Sequence, residues 1–119
     1  MGQGAEKEQV QRKTMEEMRG MKSIKVVVKN PGRPAQLEMI ENTLTAFQSE
    51  VKGRIETVTV GDIAIICNEE GRINGMPFNC ALGGTMFYGP VVIAGIDGCE
   101  FTDAPDKEIY KNWREELAS

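Results

Sequence analysis

Histidine is missing altogether from these 119 residues. That removes the commonest general base and the commonest metal ligand, and it rules out nucleophilic relays of the Cys–His or Ser–His kind. A basic excess is lacking too. The formal charge of −4 argues against broad binding to phosphate backbones, which depends on counterion release to a positive face. Apolar runs stay well short of a bilayer crossing, so no membrane role is expected. Cysteine is sparse: Cys67, Cys80 and Cys99 form an odd set with no CxxC spacing. No secretory leader precedes them, and a reducing cytoplasm is the expected compartment. The opening Met-Gly-Gln-Gly-Ala-Glu lacks the Ser or Thr of a myristoylation signal. No cofactor or metal is expected.

What is present fits one domain, since a chain of this length is too short for two cores. Residues 1–22 are rich in Glu, Lys, Gln and Met, with Val10, Met15 and Met18 as a thin apolar stripe. They read as an extension, either a frayed helix or a flexible arm, with Met21 as a candidate start of the domain proper. The domain is expected over 23–119.

Within it, SIKVVVKN (23–30) is β-branched and stops at Asn-Pro-Gly, which predicts a first, central strand followed by a turn. AQLEMI alternates, with Leu37 and Met39 expected on the core side of a hairpin partner. Asn42 or Thr43 caps a helix that presents Leu44, Phe47 and Val51 and ends at Gly53. RIETVTV sets Ile55, Thr57 and Thr59 against Glu56, Val58 and Val60. Gly61-Asp62 then turns the chain into IAIIC, apolar enough to be buried on both faces. MPFNCAL reads as one helical turn before Gly83-Gly84, PVVIAGI as another strand, and DAPDKEIYKNWREELAS as a helix capped by Asp103 or Asp106, with Ile109, Trp113 and Leu117 on one face. The expected class is α+β, a mixed or mostly antiparallel sheet of about five strands with two helices. Its first half runs ββαβ, which is β-grasp-like.

The densest punctuation lies in NEEGRINGMPFN, residues 68–79. Asn68-Glu69-Glu70-Gly71 reads as a hairpin turn, with Gly71 at positive φ. Adjacent carboxylates on a strand point to opposite faces, which is poor geometry for a metal or an acid–base pair. Asn74-Gly75 is the favoured two-residue hairpin signal. Asn79, between Phe78 and Cys80, must pair with backbone or face a ligand. Gly83-Gly84-Thr85 lacks the frame and lysine of a phosphate loop. Cys80 and Cys99 have no adjacent cation to lower their pKa and read as small core residues. Phe87 and Tyr88 read as core and edge packing, with stacking on a base as the alternative. Arg33, Lys52, Arg54 and Arg72 lie near turns, solvated or paired around an anion.

At IICNEEGRINGMPFNCAL, followed by YGPVVIAG, the chain resembles a family of small proteins from bacteriophages and integrated mobile elements of Gram-positive bacteria, the domain of unknown function three-eight-four-six. The likeness runs from about Ile24 to about Phe101. It takes in an Ile-Glu-Asn-Thr-Leu helix start, a Gly-Arg-Ile-Glu strand, the Cys-Asn-Glu-Glu-Gly turn and the Pro-Phe-Asn-Cys-Ala segment. Members usually carry an arginine after that asparagine. Cys80 stands there instead, so any anion-binding role of the arginine would be absent. The resemblance implies a cytoplasmic accessory protein of a virus or mobile element and assigns no reaction. Small proteins from such genomes often antagonise host defences, as anti-CRISPR inhibitors do.

Three expectations follow. The first is a non-enzymatic protein that binds a host defence protein through the exposed faces of the hairpin around Glu69, Glu70 and Arg72, with Asn68 beside them as a further candidate binding residue. The second is a sponge for a small signalling nucleotide, with Arg33, Arg54, Asn79 and Tyr88 lining a pocket at a subunit interface of a homo-oligomer. The third is a structural or regulatory module of the mobile element.

Overall fold

The structure, a computed structural model, describes residues 23–119. The expected N-terminal extension lies outside the described residues. The chain order is β1 (Ser23–Lys29), β2 (Gln36–Glu41), α1 (Leu44–Val51), β3 (Ile55–Val60), β4 (Ile63–Asn68), β5 (Phe78–Leu82), β6 (Thr85–Tyr88), β7 (Val91–Asp97), β8 (Glu100–Thr102), α2 (Asp106–Asn112) and α3 (Arg114–Ala118). The class is α+β and the first half runs ββαβ. Among the described residues every strand pairing is antiparallel. The main sheet has six strands in the order β2-β1-β7-β4-β3, with β8 on β7, and β5 and β6 form a separate hairpin.

The centre of the sheet is β7, not β1, which lies one strand in from the edge. Both β7 and β4 are apolar along almost their whole length and are buried on both faces, as strands covered by two layers must be. On one face, Phe47 and Val51 of α1 pack on Ile24, Val26, Val28, Ile66, Val92 and Ala94. The opposite face carries Val27, Ile63, Ile65, Cys67, Val91 and Ile93. It is covered by the β5–β6 hairpin, through Cys80, Leu82 and Phe87, and by the C-terminal helices, through Ile109, Trp113 and Leu117.

Several local expectations change. On β2, Leu37 and Met39 are exposed, and the half-buried positions are Glu38 and Ile40. An edge strand tolerates this because nothing among the described residues covers its Leu37/Met39 side. Thr43 caps α1 by accepting from the Ala46 N–H at 3.1 Å, but Leu44 is exposed. The left-handed residue that ends α1 is Lys52, not Gly53. MPFNCAL is strand β5, paired with β6 through a two-residue turn in which Gly83 and Gly84 both have positive φ, the requirement of a type I′ hairpin. The C-terminal segment is two short helices broken at Trp113, capped by neither Asp103 nor Asp106. Asp103 accepts from the Lys25 backbone N–H at 2.8 Å, and Asp106 pairs with the Lys25 ammonium at 3.0 Å. Cys67 and Cys80 are buried, whereas Cys99 is exposed at the β7–β8 turn.

Candidate functional site

The punctuated stretch is not a hairpin. Residues 69–77 carry the chain from β4, in the main sheet, to β5, in the hairpin stacked on it. Bonds from Asn74 N–H to Glu70 O (2.8 Å), Gly75 N–H to Arg72 O (3.2 Å) and Met76 N–H to Gly71 O (2.9 Å) coil it tightly. Asn74-Gly75 therefore closes a turn inside this coil and joins no paired strands. Gly71 is not at positive φ. A Cβ there would stand 2.5 Å from the Tyr88 carbonyl oxygen, so glycine is required by close backbone approach.

Asn68 anchors the coil. Its side-chain amide donates to Val51 O at 3.0 Å and Lys52 O at 3.1 Å, and its Oδ1 accepts from the Glu70 N–H at 2.7 Å. It thereby satisfies two of the carbonyls that the end of α1 leaves open. Gly53 is small for the same reason, because its Cβ would fall 2.6 Å from Asn68 Nδ2.

Asn79 anchors the other end. It is the extra residue of a bulge in β5, which turns two consecutive side chains, Asn79 and Cys80, inward. Its Nδ2 donates to Lys29 O and Gly89 O, each at 2.8 Å, while its buried Oδ1 has no partner among the described residues. The expected backbone pairing is therefore present. Beside it Lys29 is fully inaccessible, and its ammonium donates to Asn30 O at 3.0 Å. Burial lowers the Lys29 pKa, opposed by the Cys80 thiolate, and burial pushes the Cys80 thiol up to about 11.

Between the hairpin and the edge of the sheet lies a cleft of about 480 Å³ counted to its open mouth, lined by β6 on one side and by β3, β4 and the coil on the other. Asn68, Glu69, Arg72 and Tyr88, four residues singled out from the sequence, line it together. The Arg72 guanidinium lies 5.7 Å from the Tyr88 ring centroid, within cation–π range, and Phe78 meets the same ring edge-on at 5.6 Å. Arg54 sits at the rim, 3.9 Å from Glu69, with most of its side chain in water. Glu70 is exposed beside the cleft, and Arg33 stands apart in the β1–β2 loop. The structure thus gathers Arg54, Asn68, Glu69, Arg72 and Tyr88, and leaves Arg33 and Asn79 elsewhere. Glu56, Thr85 and Met86 also line the cleft and were not singled out. For Glu56 a signal existed, because strand alternation puts it on one face with Val58 and Val60.

The arrangement is suited to holding a partner. Met86 in its wall and Phe78 against the Tyr88 ring are 62% and 52% exposed, beside a tyrosine and an arginine, the residue types that dominate binding hot spots, and Ile73, next to Arg72 in the chain, is 83% exposed. No group of three or more Cys, Asp or Glu side chains with metal-binding geometry occurs among the described residues, and no described helix is long and apolar enough to cross a membrane.

Fold and cleft together define a small antiparallel α+β domain with a mixed polar and aromatic groove at one sheet edge. The chain belongs to the family described as Domain of unknown function (DUF3846), which matches residues 24–117. No curated protein and no solved structure matches the chain.

Proposed function

We propose that this chain is a non-enzymatic accessory protein of a bacteriophage or mobile element, acting in the host cytoplasm by binding and blocking a host defence protein. One observation carries the reading: Phe78, edge-on to the Tyr88 ring, and Met86, in the cleft wall, are exposed beside the Arg72–Tyr88 pair, and Ile73, next to Arg72 in the chain, is exposed as well. Large apolar side chains left in water beside polar residues mark interaction surfaces. The lack of histidine supports it, since the commonest catalytic relays are unavailable. The phage setting rests on the family resemblance. A nucleotide sponge is supported less well, because of Arg33, Arg54, Asn79 and Tyr88 only Tyr88 lines the cleft.

The test is co-purification of the tagged full-length chain from defended host cells, followed by native mass spectrometry. A host effector should co-elute, and Ile73→Asp or Met86→Asp should release it. Recovery of the protein alone from several defended hosts, or with a nucleotide in its place, refutes the reading. So does unchanged infection of those hosts after deletion of the gene.

A further inference from the structure

Among the described residues β6 pairs with β5 alone, so its other edge has no strand partner, and the coil approaches that strand closely only at Tyr88, through Gly71. Leu82 and Thr85 flank the two-residue turn and form its hydrogen-bonded closing pair, so the next pair, Ala81 with Met86, is non-hydrogen-bonded. The N–H and C=O of Met86 consequently point away from β5, and neither meets another backbone or side-chain group among the described residues. Unpaired edges of this kind template the addition of another strand unless charge or proline blunts them. The free edge of β2 carries Glu38 and Glu41, whereas β6, Thr-Met-Phe-Tyr, carries neither a charge nor a proline.

The cleft runs along this edge. It is lined by all four residues of β6 and by none of β5, and Glu56, Val58 and Cys67 face it from the sheet. Its charge is uneven. Glu56 and Glu69 both line it, while the one cation among the described residues that lines it, Arg72, lies over the Tyr88 ring. The Arg54–Glu69 contact is long and solvated, which leaves the Glu69 carboxylate weakly compensated. The field of Glu56 reaches the interior of the site, where it adds to the burial that raises the Cys67 thiol to about 11.

We propose that the cleft takes an extended, basic peptide segment of a partner protein as an added strand along the free edge of β6, with Lys or Arg side chains directed to Glu56 and Glu69. This rests on the binding role proposed above and specifies the partner's chemistry. Main-chain bonds to Met86 supply affinity, and side chains alternating along the added strand supply selectivity.

The probe is a pool of acetylated, amidated octapeptides randomised over Lys, Glu, Val and Thr, offered to the full-length protein with the retained fraction read by mass spectrometry. Lysine should be enriched at alternating positions, the Met86 amide should shift and gain exchange protection, and Met86→Pro should weaken retention about tenfold by deleting the outward donor. Glu56→Gln with Glu69→Gln should weaken lysine-rich peptides severalfold, and it keeps the test decisive should the proline variant fail to fold. Enrichment of acidic peptides, no retention at all, or equal retention by these variants overturns the proposal. A Met86 amide already protected in the protein alone also overturns it, because the edge would then be held by residues 1–22 or a second copy. A host effector that is captured but unaffected by Met86→Pro and the double Gln variant sinks this inference while leaving the binding role intact. Capture of no effector sinks the binding role itself.

Discussion

Replacing Asn68 with alanine removes three hydrogen bonds at once and leaves the carbonyls of Val51 and Lys52 and the N–H of Glu70 without that partner. At about 1 kcal/mol net for each bond, with a further penalty for the buried group left unsatisfied, the cost is about 3–5 kcal/mol. That is a large share of the about 5–15 kcal/mol that holds a domain of this size. Urea unfolding followed through Trp113, the single tryptophan and a buried one, should show the midpoint falling by about 2–3 M at a slope of about 1.5 kcal/mol/M. Asn68→Asp should be at least as damaging, because a carboxylate would then face two carbonyl oxygens. Gly53→Ala supplies the cross-check. Its added Cβ meets Asn68 Nδ2 at 2.6 Å, so its cost should shrink when Asn68 is already alanine, a coupling of about 1 kcal/mol between neighbours. A loss below about 1 kcal/mol for Asn68→Ala, or identical costs of Gly53→Ala in both backgrounds, would refute the account of how the coil is anchored.

Gly71→Ala should destabilise by about 1–3 kcal/mol in the same urea assay, because the obstacle is the Tyr88 backbone oxygen and not a side chain that can swing away; a neutral variant contradicts this. Under native conditions one thiol, Cys99, should react quickly with a colorimetric thiol reagent at pH 8, while Cys67 and Cys80, both buried and raised to about 11, react only on unfolding; three fast thiols would be the wrong result. Burial lowers the Lys29 pKa from 10.5, so the unfolded chain holds more protons just below that value and stability should rise with pH through the window. Wild type should therefore gain on Lys29→Met as pH climbs from 7 towards 10, and a constant difference would contradict it. The hydrogen bond from the Lys25 ammonium, ahead of its charge, holds Asp106 below the ordinary carboxylate range. Its contribution should be present at neutral pH and be lost as pH falls through that lowered pKa, whereas Asp106→Asn should lack the dependence.

Much of the fold was legible because its signals are local. The run Ile63 to Cys67 reads as a strand buried on both faces, Gly61-Asp62 as a turn, and Ile109, Trp113 and Leu117 share one helical face whether or not the helix breaks between them. Where the pattern was ambiguous, tertiary contacts decided. MPFNCAL has no clean alternation because the bulge at Asn79 turns two neighbours inward, and a short apolar stretch with that interruption mimics a helical turn. Leu37 and Met39 alternate correctly but face the uncovered side of an edge strand, a fact no periodicity encodes.

The site divides along the same line. Arg72, Glu69 and Tyr88 stood out by residue type and turn position, and the fold brings them to one cleft. Asn68 and Asn79 also stood out, yet each is spent on backbone groups distant in sequence, at Val51 and Lys52 and at Lys29.

The amino-acid order by itself determined the alternation that makes strands and the absence of histidine chemistry, because each depends on residue type and near neighbours. Only the tertiary structure decided which strand is central, which edge stays unpaired and which charges meet across the cleft. Those outcomes depend on chain segments far apart in sequence being placed side by side, and local propensity carries no record of such meetings.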